Sequence, residues 1–138
     1  MAKPIDKQIM ESIIVDGDAV KLVNSAETFG RELAVDDGLS KSQIRNVFGE
    51  VRRIEADWEE APQAGAGVRR LLLLKPRMAY LRKRDPKSAP LMDMLTTGVE
   101  LVTKDPAADE QYRRFRHFVE FFEAILAYHT ANERKQQS

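Results

Sequence analysis

QYRRFRHFVEFFEAILAYHT, residues 111–130, is a helical stretch too apolar to lie on a surface. Tyr112, Phe115, Phe118, Val119, Phe121, Phe122, Ile125, Leu126 and Tyr128 recur at three- and four-residue spacing. On a helical wheel they cover more than half the circumference. A surface helix needs only one apolar stripe. This pattern therefore predicts a helix at the centre of a bundle, or one that meets a partner on its second side. Asp105-Pro106 supplies a cap-and-proline start, and the helix runs to about residue 132.

Outward from this centre, the preceding residues divide into further helices. Ser88 to Pro90 opens one that carries Leu91, Met94, Leu95, Val99 and Val102. Residues 68–84 form another, closed by Asp85-Pro86; Pro76 lies inside it and predicts a kink or break near residue 75. Ala61 to Gly67, with Pro62 and Gly65, reads as a loop. Ser40 and Gln43 have capping-box spacing ahead of Ile44, Val47, Phe48, Val51, Ile54 and Trp58, which fill one arc about 120° wide. Asp18 caps a helix over 19–35 with Val20, Leu22, Val23, Ala26, Phe29 and Leu33, ended by Asp37-Gly38. No segment alternates with period two. The fold class expected is all-α, a compact bundle of about five helices spanning 18–132. Residues 1–17 are expected as a peripheral arm tethered by Ile13 and Ile14, and 133–138 as a polar tail.

Composition narrows the chemistry. The chain has 138 residues, which suits one domain, and no cysteine, which excludes disulfides, thiol catalysis and cysteine-ligated zinc. There is no signal-like or membrane-spanning apolar run, so a cytoplasmic location is the default expectation. His117 and His129 are twelve residues apart on one helix, a rise of roughly 18 Å, so they cannot share a metal or a proton. His129 falls among phenylalanines and reads as a hydrogen-bonded core residue. Asp36-Asp37 and Glu59-Glu60 read as solvated helix-end acids. No metal site, no cofactor and no enzymatic activity is expected.

The charge pattern is the informative part. The formal net charge is zero, yet residues 61–84 hold seven cationic side chains and no acid. Residues 41–84 hold 11 Lys and Arg against 5 Asp and Glu. Either an anionic partner or acids elsewhere in the fold must answer this excess. Arg70, Arg77 and Arg84 form a row with seven-residue spacing, Lys75 and Arg82 a second, and Lys41, Arg45 and Arg52 a third on the preceding helix. Seven residues rise about 10.5 Å, which lets a row touch non-adjacent phosphates of one strand. No base-stacking platform accompanies them, so binding would be directed at the nucleic-acid backbone. A helical protein–protein adaptor without a nucleic-acid role is the alternative.

Three segments, LSKSQIRNVFGEVRRIE (39–55), LLLLKPRMAYLRKR (71–84) and FRHFVEFFEAILAYH (115–129), together resemble the small helical subunit of the type III-A CRISPR–Cas effector, the Csm complex. The resemblance implies a five-helix RNA-binding subunit without an active site of its own. Several copies would stack beside the subunits that hold the guide RNA and would contact target-RNA phosphates and sugars. Cleavage and second-messenger synthesis would belong to other subunits. Carried over by position, the implied RNA contacts are Arg45, Arg52, Arg53, Lys75 and Arg77, followed by Arg82 and Arg84.

Overall fold

In a computed structural model, which describes residues 1–60 and 65–133, the chain is an all-α bundle. Its elements are α1 (Lys7–Ile14), α2 (Ala19–Val35), α3 (Lys41–Glu60), α4 (Ala66–Arg84), a short 3₁₀ turn (Pro86–Ser88), α5 (Ala89–Lys104) and α6 (Ala108–Asn132). Five of the helices are those the periodicity predicts; α1 is the addition.

The centre is α6. It packs against α1, α2, α3 and α5, which explains its wide apolar arc. Phe115, Phe118, Val119, Phe121, Phe122 and Ile125 are all buried. The arc is thus covered from within, and no outside partner is needed to account for it. Trp58 stacks on Phe115 with ring centroids 4.6 Å apart, and Phe48 meets Phe122 edge-on at 5.0 Å. The fully buried Phe115 and Phe122 each contribute about 1.5–3 kcal/mol by removing their surface from water, and the partly buried Phe48 contributes less. Backbones come close where glycine allows it: a Cβ on Gly30 of α2 would sit 2.8 Å from the Ile125 carbonyl oxygen.

α1 changes the description of the N-terminal segment. The expected peripheral arm folds into a helix whose Met10, Ile13 and Ile14 are completely buried. Asp6 caps it by accepting from the Gln8 amide at 2.8 Å. The preceding residues are also tied down, since the Ala2 amide donates to both carboxylate oxygens of Asp37, at 3.1 and 3.0 Å. Asp37 is therefore not a solvated helix-end acid; its side chain is only 4% exposed. Conversely, Val20 is 70% exposed and Val23 is also exposed, although both belong to the apolar set expected to face the core.

Caps behave as their chemistry requires. Asp18 accepts from the Lys21 amide at 3.0 Å. Ser40 and Gln43 form the reciprocal box, Ser40 Oγ accepting from the Gln43 amide and Gln43 Oε1 from the Ser40 amide. Asp105 is not the N-cap of α6: it accepts from the Ala107 amide at 2.9 Å, and Ala107 occupies the cap position. α4 runs unbroken through Pro76, which is exposed, so the lost hydrogen bond falls on the solvent side where water can replace it. Ala66 and Gly67, expected in the loop, belong to α4; residues 61–64 of that loop and 134–138 of the tail lie outside the described residues. Gly67 has a packing role, because a Cβ there would lie 2.3 Å from the Trp58 indole.

Candidate nucleic-acid interface

α3 and α4 lie side by side on the flank of the bundle, with α5 on the other side of α4 and α6 beneath α3. α4 buries Gly67, Leu71, Leu74 and Met78. Its two cationic rows flank that apolar face at opposite edges. Arg70 and Arg77 lean toward α3, and Lys75 and Arg82 toward α5. Arg70 bonds Asp57, and Arg77 Nη1 donates to Glu50 Oε1 at 2.8 Å. Lys75 pairs with Glu100 at 3.5 Å, and Arg82 is bidentate to Asp93 at 2.8 and 3.2 Å. The Asp93 hydrogen bond raises the Arg82 pKa further above its ordinary value.

On α3 the cations also divide. Arg52 turns toward α6, pairing with Glu55 at 3.1 Å and Glu123 at 3.7 Å, its guanidinium 5.9 Å from the Phe48 ring centre. Arg53 turns the other way and donates to Glu50 Oε1 at 3.1 Å. The hydrogen bond from Arg77, reinforced by the charges of Arg77 and Arg53, holds the Glu50 carboxyl below the usual carboxylate range despite some burial.

The candidate residues therefore form three groups rather than one patch: Arg52 on the α6 side, Arg53 and Arg77 in the α3–α4 groove, and Lys75 and Arg82 on the α5 side. Those five already meet carboxylates of the same chain. Arg45 and Arg84 are exposed and have no ion pair among the described residues, and the same holds for Arg69 and Lys83; Lys41 is likewise unpaired there but half-buried. The sequence rows miss these pairings because Asp93, Glu100 and Glu123 come from helices far along the chain. The unpaired cations escape the motif-based selection in part: Lys41, which belongs to a row, and Arg69 and Lys83, which belong to none, are absent from it.

Each histidine is tied to a backbone carbonyl through one ring nitrogen. His129 is fully buried, its Nε2–H donating to the Leu39 carbonyl at 2.6 Å. His117 Nδ1–H donates to the Ile14 carbonyl at 2.8 Å, and its ring packs against Gly17, where φ is +71°. Groups of His, Asp and Glu able to hold a metal are absent among the described residues. Among those residues there is also no helix long and apolar enough to cross a membrane.

A small all-α bundle with a strongly cationic two-helix flank is the class these features define. The family model described as Csm2 Type III-A matches residues 16–135. The chain belongs to this family, a small subunit of the type III-A Csm complex, and so to a CRISPR effector assembly with other Csm subunits as its partners. No curated protein and no solved structure shows a significant match to it.

Proposed function

We propose that the chain is a non-catalytic, cytoplasmic, RNA-binding structural subunit that stacks in several copies along the guide–target RNA duplex. Its α3–α4 flank would contact ribose-phosphate backbone, chiefly of the target RNA. The supporting observation is the set of cations on these two helices that lack a counter-ion among the described residues: the exposed Arg45 and Arg84, with exposed Arg69 and Lys83 and the half-buried Lys41 beside them. The paired cations join them at little cost. Arg52, Arg53, Arg77 and Arg82 are about half to two-thirds exposed, and solvent-exposed ion pairs contribute only about 0–1 kcal/mol each. A phosphate strand can exchange with such carboxylates while releasing its own counter-ions. Arg45, Arg52, Arg53, Lys75, Arg77, Arg82 and Arg84 are the proposed contacts.

The test is a triple charge reversal, Arg45→Glu, Arg52→Glu and Lys75→Glu, read by binding to single-stranded RNA and by helicity. RNA binding is expected to vanish with helicity unchanged. A triple variant that binds like the parent contradicts the assignment.

One observation favours a protein contact on the adjoining outer surface of α4. The outer face of α4 exposes Leu72, Leu73 (58%) and Tyr80 (61%), to which a phosphate strand offers nothing apolar. As a subunit contact this face is compatible with RNA binding along the neighbouring grooves; as the sole function of the flank it is the adaptor alternative.

A further inference from the structure

We propose that the α3–α4 groove holds a phosphate subsite that Glu50 occupies from within: its carboxylate takes the Arg53 and Arg77 donors that an RNA phosphodiester would otherwise take. This rests on the RNA-binding function proposed above and adds an internal competitor to it.

The geometry is specific. One oxygen, Glu50 Oε1, receives Arg53 Nη1 at 3.1 Å and Arg77 Nη1 at 2.8 Å. The two guanidinium groups come from different helices, so their meeting follows from the α3–α4 packing and not from helical spacing alone. Two like charges converge on one point only when an anion sits there. Arg70 lines the same groove, together with Ile54, Leu73 and Leu74. Glu50 is 24% exposed, whereas Arg53 is 68% and Arg77 49% exposed. The acid therefore lies at the floor and the arginines at the rim. An anion arriving from solvent meets the guanidinium groups first.

Carboxylate and phosphodiester carry the same single negative charge and offer paired oxygens to the same N–H forks. They are direct competitors. Each guanidinium has five donors, so the pair with Glu50 leaves others open to a first, weak encounter. Full engagement requires the arginines to leave Glu50. Glu50 is ionised at neutral pH, and the Arg77 hydrogen bond shifts its pKa further down. Free protein is then held in a state that binds RNA weakly, and nearby copies or subunits that raise the local phosphate concentration overcome the competition by mass action.

The test is Glu50→Gln in the full chain, measured by fluorescence anisotropy with a labelled single-stranded oligoribonucleotide of mixed sequence at low ionic strength. Glutamine keeps the shape and one acceptor but loses the charge. Binding is expected to tighten roughly three- to tenfold. Glu27→Gln on α2, which makes the same change in net charge, should leave affinity at the parent value. The gain should disappear when Glu50→Gln is placed in an Arg53→Ala, Arg77→Ala background. Weaker binding by Glu50→Gln would make Glu50 a positioning group and overturn the inference. Unchanged binding, or an equal gain in the double-alanine background, overturns it too while leaving the RNA function intact. If parent and Glu50→Gln alike bind no RNA at low salt, the proposed function fails and this inference falls with it.

Discussion

α6 and α4 carry the same two kinds of residue, large apolar side chains and arginines, and meet opposite fates. α6 has helices around it, so its phenylalanines are buried. One of its arginines, Arg114, is also drawn in, bonding Glu110 at 2.8 Å and the Leu101 carbonyl at 3.0 Å. α4 is flanked by α3 and α5 along its buried face, and its outer face has no helix over it. It buries four residues and leaves Leu72, Leu73 and Tyr80 in water, with cations along both edges. An apolar helix becomes core where other helices can reach every side of it; the same composition at the rim of a bundle is left facing outward. Stability is concentrated in the first helix and the capacity for contacts in the second.

Substitutions in the two helices should separate these roles. The largest expected effect is on α6: Phe118→Ala or Phe122→Ala should destabilise the fold by about 3–5 kcal/mol, measured by chemical denaturation. Next is the boundary between the regions. Gly67→Ala drives a methyl into the Trp58 ring and should cost about 1–3 kcal/mol; if it proves neutral by the same denaturation measurement, α4 is not clamped against α3 at that end.

Smaller again is the acid limb of stability. Glu110 is held at a pKa of about 2 by hydrogen bonds from Arg113 and Arg114, well below its unfolded value. Its contribution is complete above the unfolded pKa and is lost as pH falls toward 2. Glu110→Gln should therefore lower the melting temperature at pH 7 and make progressively less difference below about pH 4. A difference that persists undiminished to pH 2 would show that the side chain acts through packing. The smallest effect belongs to α4's own pairs: Arg82→Ala should leave the denaturation midpoint nearly unchanged, because the pair with Asp93 is exposed. A larger loss would break the contrast between the two helices.

Much of this was legible in the sequence. The spacing of Phe115, Phe118 and Phe122 identifies the central helix, and the Ser40–Gln43 box places the start of α3. α1 was missed because Met10, Ile13 and Ile14 are too few for a clear period in an eight-residue helix, and the contacts that bury them come from α2, α5 and α6. The loop reading of Gly67 failed because glycine marks two different needs, a turn or a close approach; only the position of Trp58 tells them apart. For the interface, the rows of cations could be read from helical period. Their counter-ions could not, since Asp93, Glu100 and Glu123 are brought beside them by packing and not by local spacing. Glu50 is local to Arg53, but its bond to Arg77 depends on two helices meeting.

The central claim is that the cations of α3 and α4 exchange their carboxylates for a ribose-phosphate strand. The most direct measurement is the affinity of the full chain for a mixed-sequence single-stranded RNA across a range of salt concentration. If about four to six cations each neutralise a phosphate, log K should fall with log salt at a slope of roughly −3 to −4. The triple reversal at Arg45, Arg52 and Lys75 should flatten that dependence to near zero. A parent slope already near zero, or one that the reversal leaves unchanged, would contradict the account.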